Sequence, residues 1–364
     1  MSSLWSNVSV HSSSASGNFS NATFNLYYKS CNLLDNSFSV KIGLMLVFST
    51  IMLSSLVGNA MIIVIVHQRQ ELRKTTNYFI VNMAVSDFVY PLSVIPWRLV
   101  MIASSSTQWL FGSTTGFICK AISFMNYASF AVSTLSLVCI AVDRFVAVVF
   151  PMKAHLVSSR SRTIVIAAIW ILAAMPNAFL LYAYELEKLR SGDTICTYVN
   201  GTILSSRMYY LVYSSIFVTG PLITITILYC VIAVTLRKQD RSLRSTSVHQ
   251  KDQRKQQATK MTVSIIAAFY ICIFPSGLQL VLQESQTAIS CTTSKVLRFI
   301  SDIMLCSSSS LNPIICITFV QSFRQGFKEI TLRWRKCFTS RSIMETSQSE
   351  EITLRDMRII PGIR

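Results

Sequence analysis

Charged side chains are scarce in this chain. Only 13% of its 364 residues are Asp, Glu, Lys or Arg, whereas 51% are hydrophobic, and the mean hydropathy is +0.48. Glycine, with 11 residues, is scarce as well. A chain of this composition would aggregate in water, so a water-soluble domain is excluded and a membrane protein is indicated.

Seven apolar segments are each long enough to cross a bilayer, whose roughly 30 Å hydrocarbon core requires about 20 helical residues. Each is predicted to be a helix, because an isolated segment in lipid must satisfy its own backbone hydrogen bonds. The sequence therefore predicts an all-α membrane protein, a seven-transmembrane helix bundle. The predicted spans are residues 40–66, 76–103, 115–149, 160–183, 206–236, 256–283 and 294–318.

Acidic residues are the rarer charge, with 16 Asp and Glu against 33 Lys and Arg, which gives a net charge of +17. In a soluble protein this balance would indicate nucleic acid, but 23 of the 33 basic residues fall in one set of alternate loops and in the tail. By the positive-inside rule that side is cytoplasmic. We therefore expect no nucleic-acid partner and a multi-pass plasma-membrane protein with an extracellular N-terminus. No apolar leader precedes residue 40, so no cleaved signal peptide is expected.

The chain is predicted to have four parts. An extracellular, glycosylated tail covers residues 1–39, and the helix bundle covers 40–318. Residues 319–337 place apolar and basic side chains on opposite faces, which is typical of a short amphipathic cytoplasmic helix lying on membrane lipid. The Ser/Thr-rich segment 338–364 is predicted to be disordered. Asn-x-Ser/Thr sequons predict glycosylation on the exterior side at Asn7, Asn18, Asn21 and Asn200.

Four of the ten cysteines lie on the predicted exterior, where disulfides form. They allow three pairings. A bond from Cys119, at the start of span three, to Cys196, after span four, would hold the intervening loop over the mouth of the bundle. Cys31 and Cys291 precede spans one and seven, which are neighbours if the helices close into a ring, so we expect them to pair. On the opposite side, Cys337 is a candidate for palmitoylation, with an unmodified thiol as the alternative.

Ionisable residues inside the spans are costly, which makes each a functional candidate. The pair Asp143-Arg144 ends span three. An Arg at the end of a helix can be held by a neighbouring Asp and released when helices separate. It would then face the negative C-terminal end of a partner helix. The alternative is a snorkelling pair that only sets the depth of the helix.

Asp87 lies deeper, in span two. The side chains expected around it are short and polar, and together they form an oxygen-rich cluster suited to a hard cation such as sodium. The alternative is a water-filled hydrogen-bond network without an ion. The other expected members are Asn59, Ser133, Ser308, Ser309 and Asn312.

Short motifs follow one another along the spans: Gly58-Asn59, Asn82-Met83-Ala84-Val85-Ser86-Asp87, Trp109-Leu110-Phe111-Gly112, Cys119 with Cys196, Asp143-Arg144-Phe145, Trp170, Pro221 with Tyr229, Phe269 through Pro275, and Asn312-Pro313. Their order and spacing resemble those of the rhodopsin-like (class A) G-protein-coupled receptors, most of all the peptide and neuropeptide receptor branch. The resemblance covers about residues 40–337.

This resemblance implies a receptor that promotes nucleotide exchange on a heterotrimeric G protein and catalyses no covalent reaction. It places Asp143, Arg144, Phe145 and Tyr229 at the G-protein surface. A receptor kinase and arrestin are further candidate partners.

The resemblance also implies one bound ion and no other cofactor. In this family, sodium binds the deep polar cluster in the inactive state. The residues that carry over to such a site are Asp87, Ser133, Ser309 and Asn312.

Two departures from the family pattern bear on how such a receptor would work. In span six, Ile273 stands where the family usually has Trp, and in span seven, Cys316 stands where it has Tyr. The first change removes an indole beneath the ligand. The second removes a hydroxyl that would hydrogen-bond Tyr229 or water in the active state. A silent or scavenger receptor of the same fold is therefore an alternative function.

Two residues that would identify a ligand class are missing. Span three has Asn126 where an amine receptor of the family needs an Asp, and span seven has Cys306 where a light sensor needs a Lys. Amines and retinal are therefore disfavoured.

The side chains that remain at the exterior mouth are polar, aromatic and mixed in charge, and this dispersed pattern favours an extracellular peptide. Arg98 is suited to a ligand carboxylate, and Asp302 or Glu284 to a cationic side chain. For each, the alternative is an interfacial anchor or an interhelical hydrogen bond. The candidate ligand-binding residues are Trp97, Arg98, Asn126, Tyr127, Gln279, Gln283, Glu284, Arg298 and Asp302.

Two other functional classes are also considered. An ion-coupled transporter or channel would use Asp87 as its ion site, but it predicts repeated halves with broken helices, which the sequence lacks. An intramembrane enzyme would need a catalytic pair of metal ligands, and all four His residues lie outside the spans.

Overall fold

A computed structural model describes residues 38–103, 112–150, 152, 159–188, 194–199, 205–242, 246–284 and 290–333. Within these ranges, seven helices are long and apolar enough to cross a membrane. The predicted seven-helix bundle is confirmed, and the chain is a multi-pass membrane protein.

The seven spanning helices are α1 to α7, and a shorter helix, α8, follows them. Helices α1, α2 and α3 cover Phe38–Gln68, Thr75–Ala103 and Thr115–Val149, and α4 covers Ser159–Asn177 with a further turn at Leu180–Ala183. Helix α5 consists of Ser206–Ser214, a π-helical turn at Ser215–Thr219, and Gly220–Ser242. Helices α6 and α7 cover Thr246–Glu284 and Cys291–Phe319, and α8 covers residues 321–333. Short 3-10 turns lie at Gln70–Leu72 and Gly112–Thr114.

Helix α6 begins earlier than the hydropathy pattern predicts. It starts at Thr246 rather than at residue 256, and α5 likewise continues to Ser242. The apolar pattern marks only the part of a helix that lipid covers, whereas helical hydrogen bonding can continue into water.

A β-hairpin follows α4. Strand β1, Tyr184–Lys188, pairs antiparallel with strand β2, Thr194–Tyr198, so that Leu186 lies opposite Cys196. The Cys119–Cys196 disulfide joins β2 to the start of α3, with 5.6 Å between the two Cα atoms. The predicted bond is confirmed. We call this end of the bundle the hairpin end and the opposite end, where α3 finishes beyond Arg144, the Arg144 end.

The irregular turn in α5 lies just before Pro221. Proline lacks a backbone N–H, and its ring collides with the carbonyl four residues earlier, so a regular helix cannot pass through this position unchanged. The π-helical turn at Ser215–Thr219 widens the helix at that point. Pro275 and Pro313 also lie inside helices, in α6 and α7 respectively.

Helices α2, α3 and α4 are joined by a polar side chain inside the bundle. The Trp170 Nε1–H donates to Asn82 Oδ1 over 2.9 Å, and Asn82 Nδ2 donates to Ser136 Oγ over 2.9 Å. A buried amide costs little when both its ends are satisfied in this way.

Helices α1 and α7 approach closely at Gly58. A Cβ atom at this position would lie 2.8 Å from Cβ and Cγ of Pro313, closer than real Cβ contacts come. Glycine is therefore required at this crossing by the rigid proline ring on the neighbouring helix.

Gly58→Ala is expected to lower the stability of the protein by roughly 1–3 kcal/mol, because the added methyl overpacks the α1–α7 contact. The matched control is Gly43→Ala on the same helix, where an added Cβ has no neighbour within 4 Å. This control should be neutral or slightly stabilising, since Ala favours a helix by about 1 kcal/mol over Gly. The melting temperature of the purified full-length chain measures both. Equal melting temperatures for the two variants would contradict the close crossing.

Candidate functional site

The Asp87 carboxylate is buried in the middle of the bundle and is satisfied from two neighbouring helices. Ser133 Oγ on α3 donates to Asp87 Oδ1 over 3.1 Å, and Asn312 Nδ2 on α7 donates to Oδ2 over 2.7 Å. The side chain is only 6% exposed. Both carboxylate oxygens thus receive hydrogen bonds, as a buried charge requires.

Helix α1 joins the same cluster through Ser55 and Asn59. Asn59 Nδ2 donates to the Ser309 carbonyl over 2.9 Å, and Ser55 Oγ lies 3.1 Å from Ser309 Oγ. Ser55 Oγ also donates to the Asp87 carbonyl over 3.2 Å. The cluster therefore connects four helices, α1, α2, α3 and α7.

A cavity of about 20 Å³ lies against the Asp87 carboxylate. Its wall includes Ser133, Ser308 and Ser309. This is close to the smallest space that holds one water molecule. The structure thus brings together the four residues predicted to bind a cation, Asp87, Ser133, Ser309 and Asn312. The cavity beside them is large enough for one small ion or water molecule.

A second cavity, of about 80 Å³, lies towards the hairpin end between α3, α5, α6 and α7. Two of the predicted ligand-binding residues, Asn126 and Tyr127, line it, and Ile273 forms part of its wall. The remaining described lining residues are Phe130, Tyr210, Tyr213, Ser214, Val218, Gly277 and Leu305. Since every described side chain in this wall is uncharged, the cavity is suited to an apolar or aromatic group.

Tyrosines form a packed cluster on one side of this cavity. The ring of Tyr127 meets that of Tyr213 edge to face at 5.0 Å, and the Tyr213 hydroxyl donates to the Tyr127 carbonyl over 2.9 Å. The hydroxyls of Tyr184 and Tyr210 lie 2.9 Å apart, which joins strand β1 to α5. Tyr209 donates to Asn177 Oδ1 over 2.6 Å. These α5 residues were not predicted from the sequence, although the spacing of Tyr209, Tyr210 and Tyr213 places them within about one turn of a helix.

Arg98 and Asp302, both predicted to contact the ligand, contact each other. Arg98 Nη2 on α2 lies 2.8 Å from Asp302 Oδ1 on α7, and the two side chains are 14% and 11% exposed. Each charge is therefore neutralised within the protein, and the pair ties α2 to α7. An interhelical hydrogen bond was the alternative to ligand binding that the sequence left open for both residues.

The other predicted ligand residues are less closely associated with the cavity. Trp97 is buried at 5% exposure, and Gln279 and Arg298 are partly buried towards the hairpin end of α6 and α7. The structure describes no side chain for Gln283 or Glu284.

Several other predicted sites lie outside the described residues. The four sequons at Asn7, Asn18, Asn21 and Asn200 are among them, as are Cys31 and Cys337 and the side chain of Cys291. Glycosylation, palmitoylation and the second disulfide therefore stay predictions.

At the Arg144 end, the predicted Asp143–Arg144 pair is formed within α3. Arg144 Nη2 donates to Asp143 Oδ2 over 3.1 Å, and the Thr76 hydroxyl on α2 donates to the same oxygen. The Arg144 Nε–H is buried and has no hydrogen-bond partner among the described residues. The guanidinium is thus held on one side and unsatisfied on another, which leaves a donor for a further partner.

The other two predicted coupling residues lie near this pair. The ring of Phe145 contacts that of Phe150 with centroids 5.9 Å apart, and the Tyr229 hydroxyl on α5 is buried. Cys316, which replaces the family's usual Tyr, is fully buried in the core. A thiol is only a weak hydrogen-bonding group, so α7 provides no strong donor at this position.

Arg98→Met or Asp302→Asn alone is expected to destabilise the protein by roughly 3 kcal/mol, because each leaves the opposite charge buried without its partner. The double variant should be more stable than either single variant. Melting temperatures of the four proteins in the same detergent complete the double-mutant cycle. Strictly additive losses would contradict a direct ion pair.

Comparison with known proteins identifies the family. The model of the seven-transmembrane receptors of the rhodopsin family matches residues 58–315, well over half of the chain. The chain is 28% identical over 290 residues to the galanin receptor 2a of Danio rerio, covering 78% of this chain and 77% of that receptor. It is 26% identical over 296 residues to a QRFP-like peptide receptor of Branchiostoma floridae, covering 76% and 74%.

The substance-K receptor of Canis lupus familiaris is 30% identical over 306 residues, with 80% of this chain and 74% of that receptor covered. The sequence motifs, the seven spanning helices, the disulfide and these matches agree. The chain belongs to the rhodopsin family of seven-transmembrane receptors.

Proposed function

We propose that this chain is a plasma-membrane receptor that binds an extracellular peptide at its hairpin end and promotes nucleotide exchange on a heterotrimeric G protein at its Arg144 end. The observation that carries the proposal is the uncharged, tyrosine-lined cavity between α3, α5, α6 and α7. It lies at the hairpin end, and the Asp143–Arg144 pair lies at the other end of the same α3 helix.

The ligand proposal is supported by the chemistry of the cavity and by the names of the relatives. A space of about 80 Å³ holds a side chain rather than a whole peptide. With Arg98 neutralised by Asp302, the inserted group is an aromatic or aliphatic side chain, and the rest of the peptide contacts the hairpin and the surrounding helix ends. The relatives named for galanin, for substance K and for a QRFP-like peptide agree with a peptide ligand.

The orientation proposal is supported by charge. The alternate loops and tail that contain 23 of the 33 Lys and Arg residues are connected along the chain to the helix ends on the Arg144 side. The positive-inside rule places this end in the cytoplasm and the N-terminus outside the cell.

The G-protein proposal is supported by the incomplete hydrogen bonding of Arg144. Its Nε–H is buried without a partner among the residues that the structure describes, while Asp143 holds the other side of the guanidinium. A helix that enters with its C-terminal end first would bring free carbonyl groups and a negative dipole to this cation.

We also propose that the Asp87 cluster holds one sodium ion. Its carboxylate and the hydroxyls of Ser133 and Ser309 are hard oxygen donors around a cavity of about 20 Å³. A single carboxylate matches a single positive charge. Asn312 donates to Asp87 and holds the carboxylate in place.

A silent receptor of the same fold is the second candidate function. It is favoured by Ile273 in the wall of the ligand cavity and by Cys316, whose buried thiol lacks the hydrogen-bonding strength of a tyrosine hydroxyl. Such a receptor would bind peptide without activating a G protein.

The test is a peptide screen on cells that express the full chain at their surface, read as G-protein activation. We expect a peptide with an apolar or aromatic residue to activate the receptor. Arg144→Ala should reduce activation at least about tenfold, the effect of losing about 1.4 kcal/mol of charge-assisted contact. Arg160→Ala, which removes an exposed cation at the same end of the bundle, is the matched control.

The outcomes of this screen separate the two candidates. Activation that Arg160→Ala leaves intact and Arg144→Ala removes supports coupling. Peptide binding without any activation in the unmodified receptor identifies the silent receptor. A surface-expressed receptor that binds no peptide contradicts the ligand proposal.

A further inference from the structure

The ligand cavity between α3, α5, α6 and α7 has one aromatic side and one side of smaller residues. Helices α3 and α5 supply its rings, which are Tyr127, Phe130, Tyr210 and Tyr213. Helix α6 supplies Ile273 and Gly277, about one helical turn apart. A Cβ atom at Gly277 would have no neighbour within 4 Å. The α6 side of the cavity is therefore where a bound group has room.

This side of the cavity is also where the chain lacks an indole. Ile273 stands where the family usually has Trp, and its side chain borders the cavity. One turn earlier on α6, Phe269 stacks on Phe130 with ring centroids 5.4 Å apart. Protein interiors contain few voids larger than a water molecule, whereas this cavity measures about 80 Å³. The wall thus encloses space that an indole from outside the chain would fill.

The Asn126 side chain in the cavity wall has hydrogen-bonding capacity to spare. The hydroxyls of Tyr213 and Ser214 donate to backbone carbonyls. The hydroxyl of Tyr210 pairs with that of Tyr184. The Asn126 amide is half-buried and forms no hydrogen bond with any residue that the structure describes. Since an amide offers two N–H donors and one carbonyl acceptor, it matches a bound group that has a polar atom at the edge of an apolar body.

The volume of the cavity determines how a ring enters it. A closed apolar cavity that admits benzene measures roughly 150 Å³, about twice the volume of this one. A ring therefore fits only if a wall residue moves. Phe130 and Leu305 have space on their far side, because both also line the cavity of about 20 Å³ beside Asp87. An aromatic group would press them towards the Asp87 cluster, whereas a small aliphatic group would not.

We propose that the peptide inserts one aromatic side chain with a polar edge, that of Trp or Tyr, between Phe130 and Ile273 in the space of the missing indole. This inference rests on the proposed peptide function and names the class of residue that the same cavity selects. The inserted ring packs against Phe130 and Tyr213, and its indole N–H or phenol O–H bonds to Asn126. An aliphatic side chain would leave Asn126 without a partner, and a charged one would meet no counter-charge in the described wall.

The probe is a random dodecapeptide library displayed on phage and selected on the full-length receptor in nanodiscs, after subtraction on empty nanodiscs. Sequencing counts the residues of the bound peptides against those of the input library. We expect one shared position at which Trp or Tyr is enriched over Leu by roughly threefold to tenfold, the range that one aromatic pair contributes.

Variants of the α6 side test whether the cavity makes this selection. Ile273→Trp returns the indole to the receptor and should remove the enrichment, because the two rings compete for one space. Ile271→Trp makes the same substitution at an exposed position of α6 outside the cavity and should leave the enrichment intact. Gly277→Ala has room for its added methyl group, so it folds, and it should lower the enrichment. Gly43→Ala is its control.

Asn126→Leu separates the polar edge from the ring. The variant keeps an apolar wall but removes the amide, so the enriched residue should change from Trp and Tyr to Phe. The melting temperature of each variant verifies that it folds.

Bound peptides without a shared aromatic position would overturn this inference and leave the peptide-binding proposal intact. Equal results for Ile273→Trp and Ile271→Trp, whether the enrichment is kept or lost in both, would show that the cavity does not select the residue. A receptor that enriches no peptide contradicts the peptide-binding proposal itself, and this inference with it.

Discussion

The buried carboxylate of Asp87 is the constraint on which the arrangement of the bundle depends. An ionisable group at this depth is costly in lipid unless the protein surrounds it with polar partners. Ser133 and Asn312 provide these partners from α3 and α7, and α1 adds Asn59 through Ser309. Four helices must therefore meet at one level. The glycine at position 58, next to Asn59, follows from the same requirement, because α1 reaches the cluster only by approaching Pro313 closely.

This cluster lies between the two ends of the molecule. Helix α3 carries Asn126 in the cavity wall, Ser133 at the cluster and Arg144 at the far end. A ligand that displaces α3 therefore also moves Ser133 and Arg144. Helix α7 likewise carries Asp302, Asn312 and Cys316. The two departures from the family pattern lie on either side of the cluster, since Ile273 replaces a larger indole in the cavity wall on α6 and Cys316 leaves α7 without a tyrosine hydroxyl towards the Arg144 end. A conformational change that connects the two ends must therefore use the hydrogen bonds that remain between the helices, such as those of the Asp87 cluster.

The sequence predicted the parts of this structure that depend on composition and spacing. Long apolar segments form helices in lipid, and the order and spacing of the motifs from span to span made the Cys119–Cys196 bond and the Asp87 cluster expected. Pairing between side chains on different helices could not be predicted, because the rotation of each helix decides whether Arg98 faces a ligand or Asp302. The tyrosine cluster could not be predicted for the same reason. In the sequence Tyr213 is one of many apolar residues of α5, and its contact with Tyr127 depends on how α5 packs against α3. The packing of Gly326 on Ile65 depends on where α8 turns after α7, which no local pattern specifies.

The most direct test of the central claim is the effect of sodium on the melting temperature of the purified receptor without ligand, at constant ionic strength with choline replacing sodium. An ion that binds only the folded state stabilises it in proportion to its occupancy. If the Asp87 cluster organises four helices around one compensated charge, sodium raises the melting temperature of the unmodified receptor, and Asp87→Asn removes the sodium effect. An equal sodium effect in both proteins, or none in the unmodified receptor, would contradict the account.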